Sequence, residues 1–77
     1  MRWQDRITIK PDVCHGKACI MGTQVMVSVI LATLGEGASP ESIMASYHVT
    51  AEDIQAAVLF AADMADDRFL PLGQEAV

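Results

Sequence analysis

The chain has 77 residues, which leave room for one hydrophobic core and exclude a second domain. It is 52% apolar, with a mean hydropathy of +0.31. This is more apolar material than the core of one small monomer readily buries, so we expect a homodimer or a permanent protein partner. The alternative is a monomer with a crowded core. The net charge of -5 is uneven: residues 1–34 carry four basic and two acidic side chains, whereas residues 35–77 carry one basic and eight acidic ones, which makes the second half a poor nucleic-acid surface by itself.

Residues 1–27 are predicted to form a small β-containing part. Residues 1–6 are polar apart from Trp3, so we expect them to be a loose lead-in. Alternating and β-branched residues predict three short extended stretches, at residues 7–9, 18–21 and 24–27. Pro11 ends the first of these stretches and Gly22 the second. An isolated pair of strands is unstable in water, so this element should pack on helices or on a second chain.

Residues 28–68 are predicted to form three helices. Ser28 is expected to cap a first helix over residues 29–34, with Gly35 or Gly37 at its C-terminal end. The large aliphatic residues of this helix cover much of its circumference. Such a pattern indicates a helix that is buried on nearly all sides.

The stretch from residue 39 to residue 62 organises the rest of the chain. Ser39 is a favourable N-cap residue, and Pro40 suits the first position of a second helix. Thr50 and Asp53 predict the start of a third helix, because each side chain can bond the other residue's backbone amide. Two capped helices joined by about three residues are typical of the helix-turn-helix arrangement.

Projection of the third helix at about 100° per residue separates two faces. The core face is predicted to hold apolar residues: Ile54, Ala57, Val58, Ala61 and Ala65. The opposite face is predicted to hold polar ones: Glu52, Gln55, Asp63 and Asp66. Leu59 lies among these acids with Phe60 at the border, and a single exposed Leu would need no explanation. Together with Phe69, Leu70 and Leu72 of the tail, residues 69–77, they would instead form an apolar, acid-rimmed patch that binds a partner.

Several short motifs carry a resemblance to a known protein family. They are Val13-Cys14-x-Gly16-Lys17, Ile20-x-Gly22-Thr23, Gly37-x-Ser39-Pro40-Glu41-x-Ile43, Tyr47, and Thr50-x-Glu52-Asp53-Ile54-x-Ala56-Ala57. No single motif is specific, but their order and spacing over residues 7–62 are. On these motifs the chain resembles domain-of-unknown-function family 433, a group of small bacterial proteins that are often described as antitoxin-like.

The resemblance implies a mainly α fold: a small three-helix, homeodomain-like (helix-turn-helix) bundle with a short N-terminal β element, present as a homodimer. It also implies that some members pair with a nuclease-type toxin in two-component toxin–antitoxin systems. The chain departs from the family pattern at Gln24, where the family usually has Arg. Without that Arg, the chain lacks a fixed cation that could hold phosphate or a partner's carboxylate.

Candidate catalytic and metal-binding residues are few. Cys14, His15 and Cys19 are three soft ligands, but a structural zinc site needs four, and the other histidine, His48, is distant in the sequence. Cys14 and His15 should point to opposite sides of an extended backbone, with no third group to orient the imidazole. We therefore expect thiols beside a turn, no metal, no cofactor and no enzymatic activity.

Contacts with operator DNA would come mainly from the basic N-terminal half. The candidate residues are Arg2, Arg6, Lys10 and Lys17, with Gln55 at the start of the third helix. The acids beside Gln55 would be repelled by phosphates. Our leading hypothesis is an antitoxin that binds a basic toxin through its acidic C-terminal half. A stand-alone DNA-binding regulator and a structural oligomerisation module are the alternatives.

The N-terminus and the cysteine content predict the compartment. The first ten residues lack the apolar segment of a signal peptide, and no apolar run approaches the ~20 residues that span a membrane. Two cysteines without a secretion signal indicate free thiols in a reducing environment. We expect a cytoplasmic protein without membrane contact.

Overall fold

Three α-helices and a two-stranded antiparallel sheet build the protein in a computed structural model, which describes residues 1–67. The strands are β1 (Ile7–Thr8) and β2 (Cys19–Ile20), and the helices are α1 (Val27–Gly35), α2 (Pro40–Tyr47) and α3 (Ala51–Asp67). The predicted mainly α fold with a short N-terminal β element is confirmed. The tail residues proposed to bind a partner, Phe69, Leu70 and Leu72, lie outside the described residues.

The sheet is shorter than the sequence predicts. In its register Ile7 lies opposite Ile20 and Thr8 opposite Cys19, and both isoleucines are buried. The third predicted stretch contributes only one bridge, from Met26 back to Cys19. Helix α1 already begins at the next residue, so the prediction of extended backbone through residue 27 was wrong there.

Helix α1 begins two residues before the predicted start and is not capped by Ser28. Its N-cap position is Met26, whose side chain accepts no capping hydrogen bond, while Ser28 is exposed inside the first turn. The amide of Val27 instead donates to the carbonyl of Ala18 at 3.0 Å, so the preceding loop satisfies the helix end. Gly35 ends the helix as predicted.

The helix-turn-helix unit has the predicted boundaries. The Ser39 hydroxyl accepts a hydrogen bond from the Ser42 amide at 3.2 Å, and α2 begins at Pro40. His48 ends α2 in the left-handed conformation, with φ 58°, and its amide donates to the carbonyl of Met44 at 2.9 Å. Three residues, 48–50, therefore separate α2 from α3.

One hydrophobic core joins all of these elements. Its buried members are Ile7, Ile20, Val27, Ile30, Ile43, Val49, Ile54, Ala56 and Ala57. Helix α2 contributes a single fully buried residue, Ile43. The position of α2 in the helix-turn-helix unit therefore depends strongly on one side chain.

The buried face of α3 is rotated by about one residue from the predicted face. Val58 is 47% exposed and Ala65 is exposed, whereas Ala56 and Asp53 are buried. The prediction that Val58 and Ala65 face the core was wrong because the N-terminal segment packs along the side of α3 that carries Phe60. That contact draws the buried stripe toward this segment.

The first six residues are ordered against α3 and are not a loose lead-in. Trp3–Asp5 form a 3-10 turn, and the Trp3 ring meets Phe60 edge to face, with centroids 4.9 Å apart at 87°. The Trp3 indole N–H donates to the Asp63 carboxylate. Aromatic pairs of this geometry stabilise by about 0.5–1.5 kcal/mol beyond the area they bury.

No helix within residues 1–67 has both the length and the apolar character to cross a bilayer.

Candidate functional site

The candidate binding surface is the exposed side of α3, which we call the α3 face. It comprises Glu52, Gln55, Val58, Leu59, Ala62, Asp63 and Asp66. All of these are exposed except Leu59, which is half-buried. The α3 sequence, AEDIQAAVLFAADMADD, contains no Lys, Arg or His, so no cation on the helix itself offsets the carboxylates.

The α3 face combines apolar and acidic groups. Val58 and Leu59 supply apolar area, and the carboxylates of Glu52, Asp63 and Asp66 border it. The Asp63 carboxylate accepts the hydrogen bond from Trp3, which restricts its rotamer. Leu59 thus lies where the sequence predicts it, on the acidic side.

Phe60, in contrast, does not lie on the α3 face. It is half-buried, packs against the core and contacts Trp3. The predicted patch of Leu59 and Phe60 is therefore divided between two sides of the helix. The apolar residue that replaces Phe60 on the exposed face is Val58, one of the residues predicted to be in the core.

Arg6, predicted to contact DNA, pairs with Asp53 in the structure. Its Nη1 donates to Asp53 Oδ1 at 3.0 Å, and the Asp53 side chain is mostly buried. The other Asp53 oxygen accepts the Thr50 amide at 3.0 Å, while the Thr50 hydroxyl accepts the Asp53 amide at 3.1 Å. The predicted capping box is confirmed, and Arg6 extends it into a link between the N-terminal segment and α3.

The other predicted cations do not gather into one basic stripe. Arg2 Nε lies 4.0 Å from Asp5 Oδ1, and both side chains are largely exposed. Lys10 borders a hollow with Gly22 and Thr23. Lys17 is exposed beside Val27 and Phe60 at another hollow. Gln55 is exposed on α3 with Glu52 one turn before it.

Gln24, the position at which the family resemblance predicts an Arg, is exposed between two hollows. One contains Lys10, and the other contains Cys14 and His15. Its backbone carbonyl accepts a hydrogen bond from the Cys14 thiol, with Sγ and O 3.6 Å apart. The residue therefore takes part in the structure around the cysteines through its backbone.

Cys14 and Cys19 lie side by side in the folded chain. Cys14 is half-buried and Cys19 fully buried, and the Cys19 thiol donates to the Thr23 carbonyl at 3.6 Å. Burial first, and the neighbouring Cys14 thiol second, raise the pKa of the Cys19 thiol to about 11. Among the residues that the structure describes, no three His, Cys, Asp or Glu side chains are placed to hold a metal ion.

The backbone around Cys14 differs from the sequence prediction. Cys14 and His15 have φ of 52° and 55°, so they lie in the left-handed region rather than on an extended backbone. Gly16 follows with φ 80° and completes a tight turn. Cys14 and His15 therefore do not lie on an extended backbone, and the prediction that they point to opposite sides of one was wrong.

The raised pKa of Cys19 predicts a loss of stability at alkaline pH. An unfolded cysteine ionises near pH 9.0, whereas the folded thiol stays protonated until about 11. The contribution of the protonated Cys19 thiol to the free energy of unfolding is therefore complete below pH 9. It is lost as the pH rises toward 11, because ionisation then favours the unfolded chain. Urea unfolding of the reduced protein at pH 8 and pH 10.5 measures this loss.

The matched variant for this measurement is Cys19→Ala. Subtracting its pH dependence from that of the unsubstituted chain removes the contributions of Tyr and Lys, which titrate in the same range. Equal pH dependence of the two proteins would contradict the prediction.

Two contacts of this region were missed in the sequence. They are the Arg6–Asp53 ion pair and the contact of Trp3 with Phe60 and Asp63. The first has no local signal, because the partners are 47 residues apart. The contact of Trp3 has a weak local signal, since a single large aromatic residue in a polar segment usually packs on an apolar partner and donates to a hydrogen-bond acceptor.

Comparison with known proteins identifies relatives of the chain. The model of a family described as "Protein of unknown function (DUF433)" matches residues 7–61. A crystal structure of a DUF433 member protein from Anabaena variabilis ATCC 29413 is similar, with a TM-score of 0.75 and 34% sequence identity. The match covers 83% of this chain but 64% of that one, so the chain spans less than two thirds of the relative. None of the curated proteins compared with the chain matches it.

Proposed function

The chain belongs to the DUF433 family of proteins of unknown function, and on that premise we propose that it is a non-enzymatic, antitoxin-like protein that binds a basic, nuclease-type toxin. The α3 face is the binding surface in this proposal. The kind of system comes from the antitoxin-like character of the proteins that the sequence resembles. The chemistry of the partner comes from the surface of α3.

The observation that carries the proposal is the acidic exposed face of α3, a helix that contains no Lys, Arg or His of its own. In a helix-turn-helix protein the N-terminal residues of the second helix of the unit meet the base edges. Here that end carries the exposed Glu52, while the Asp53 carboxylate accepts hydrogen bonds from the Arg6 side chain and the Thr50 amide. Phosphates repel carboxylates, so this helix favours a cationic protein over the DNA major groove.

The composition of the α3 face also suits a protein partner. Val58, Leu59 and Ala62 supply apolar area that a partner can remove from water, and this is the main favourable term in association. The surrounding carboxylates would accelerate the encounter with a basic surface and select against acidic partners. Such an acidic surface is able to cover the substrate site of a nuclease, which is itself positively charged to bind phosphates.

A homodimer remains part of the proposal. The residues that follow β1 and β2 expose large apolar side chains that a second copy would cover, with Ile9 54% and Met21 50% exposed. Pairing through these two strands would leave the α3 face free for the toxin.

The proposal predicts that charge removal on the α3 face weakens toxin binding. The test uses the double variant Glu52→Gln with Asp66→Asn and any small basic protein that is encoded beside this chain, purified separately. We expect an association rate about tenfold slower at low salt, because fewer carboxylates attract the cationic partner. Stopped-flow or surface plasmon resonance at several salt concentrations measures this rate.

The matched control changes the same two residue types on other surfaces. Asp12→Asn with Glu36→Gln removes equal charge from exposed positions outside α3. If both double variants slow association equally, the effect comes from net charge and the α3 face is not the binding surface. If no adjacent basic protein binds the unsubstituted chain at low salt, the proposed function is wrong.

The DNA-binding alternative gives a different result in the same experiment. It requires an operator fragment to bind with an affinity that falls steeply as salt rises. It also requires that binding be lost when Arg2, Lys10 and Lys17 are replaced by Ala and be unaffected by the α3 variants. That outcome would replace the antitoxin proposal with a stand-alone regulator.

A further inference from the structure

The pair of cysteines beside the left-handed turn is not used by the proposed function. Cys14 and Cys19 are five positions apart, yet their thiols donate to the carbonyls of consecutive residues, Gln24 and Thr23, at 3.6 Å each. The two sulfur atoms therefore lie at the same short piece of backbone. The effect of the Cys14 thiol on the pKa of Cys19 agrees with this proximity.

The turn that carries Cys14 is what brings the thiols together. Left-handed backbone is uncommon for residues with a Cβ, and here two of them, Cys14 and His15, adopt it in succession before Gly16. Such conformations persist where the surrounding structure enforces them, and they concentrate at functional positions. An extended chain at these positions would carry the Cys14 side chain away from β2 and Cys19.

The two thiols differ in accessibility. Cys14 is half-buried and borders an open hollow of about 480 Å³ with His15 and Gln24, so a small oxidant can reach it. Cys19 has no exposed surface. Cys14 is therefore the thiol that a small oxidant meets first, and Cys19 is the neighbouring thiol that can resolve an oxidised Cys14, because redox-sensitive cysteines often lie next to a resolving one.

We propose that Cys14 and Cys19 form a reversible intramolecular disulfide when the protein meets a hydroperoxide such as hydrogen peroxide. The Cys14 sulfur attacks one peroxide oxygen, the O–O bond breaks, and Cys14 sulfenic acid and water form. The Cys19 sulfur then attacks the Cys14 sulfur and displaces hydroxide, which leaves as water with the Cys19 proton. Two thiols are oxidised by two electrons, and one hydrogen peroxide is reduced to two waters. A cellular thiol reductant restores both thiols.

The disulfide would act on the surface near Gln24 and not on α3. Both carbonyl acceptors, on Thr23 and Gln24, lose their thiol donors when the S–S bond forms. The turn at residues 14–16 becomes covalently tied to β2. Oxidation should therefore change amide NMR shifts around residues 13–27 and leave those of the α3 face in place.

The experiment exposes the fully reduced, full-length protein to hydrogen peroxide and then alkylates the remaining thiols. Intact mass and peptide mapping are expected to show loss of two hydrogen atoms, a Cys14–Cys19 linkage, and full reversal by dithiothreitol. In Cys19→Ser the intermediate should be trapped as a dimedone adduct of Cys14. In Cys14→Ser the remaining thiol should react at least about tenfold more slowly, because Cys19 is covered and stays protonated.

Several results would overturn the proposal. One is oxygen addition at Cys14 without linkage in the unsubstituted chain, and another is a disulfide that joins two chains. A third is equal peroxide reactivity of the two single variants. The linkage map is made on the unsubstituted protein, so it does not depend on how well the variants fold. Cys19→Ala serves as a second variant, since it places no hydroxyl in the buried position.

Discussion

Replacement of Asp53 by Ala is expected to lower the free energy of unfolding by about 1–2 kcal/mol. The side chain accepts the Thr50 amide at the start of α3, and loss of such a hydrogen bond costs roughly 0.5–1.5 kcal/mol. The same change removes the partner of the Arg6 guanidinium, but that side chain is 39% exposed and water can solvate it, so the lost ion pair adds only about 0.5 kcal/mol. One substitution thus removes one of the two hydrogen bonds of the capping box and the link to the N-terminal segment, while the Thr50 hydroxyl still accepts the amide of residue 53.

Equilibrium urea unfolding, followed by far-UV circular dichroism and by Trp3 fluorescence, measures this loss. Glu52→Ala is the matched control, because it removes an adjacent carboxylate that is exposed. Asp53→Asn keeps an oxygen for the Thr50 amide and removes the charge, so its loss of stability should lie between those of Asp53→Ala and Glu52→Ala. A loss for Asp53→Ala no larger than that for Glu52→Ala would show that the network contributes nothing.

Replacement of Ile43 by Ala is expected to cost about 2–5 kcal/mol. Ile43 has no exposed surface and is the one residue of α2 in the buried core, so the cavity would lie where α2 meets the other helices. A domain of this size has a total stability on the order of 4–12 kcal/mol. The substitution therefore removes a large share of the total stability, and α2 is expected to open first.

Thermal and urea unfolding measure the effect, and hydrogen exchange of the α2 amides shows whether this helix opens before the rest. Ile43→Val is the graded control, with an expected cost of about 0.5–1.5 kcal/mol. Val58→Ala is the exposed control, and its effect should be within about 0.5 kcal/mol. If Ile43→Ala behaved like Val58→Ala, α2 would be held by its half-buried residues instead.

Both stability predictions concern the same geometry, that of α2 relative to α3. Asp53 fixes where α3 begins, and Ile43 fixes how α2 lies against it. The α3 face depends on this geometry for the directions of Glu52 and Val58. Binding measurements on the charge variants should therefore be accompanied by circular dichroism, since destabilisation of α2 and α3 would also weaken the binding of a partner.

Local sequence signals determined the helix-turn-helix unit. Ser39 and Pro40 at the start of α2, and Thr50 with Asp53 at the start of α3, act through hydrogen bonds and dihedral preferences within a few residues. Such interactions exist in any surroundings. The start of α2 and the start of α3 could therefore be predicted without knowledge of the rest of the chain.

Only the tertiary structure decided which side of α3 is buried. Hydrophobic periodicity placed Val58 in the core, but Trp3 packs on Phe60 and Arg6 pairs with Asp53, which turns the buried stripe toward the N-terminal segment. A helix rich in alanine has a weak amphipathic pattern, so a few distant contacts outweigh it. The cysteines are a more local case: Cys14 and His15 adopt left-handed backbone, which residues with a Cβ rarely do, so their residue types did not predict it. Interactions between residues far apart in the chain leave no local pattern, and for that reason the composition of the candidate surface became visible only in the folded protein.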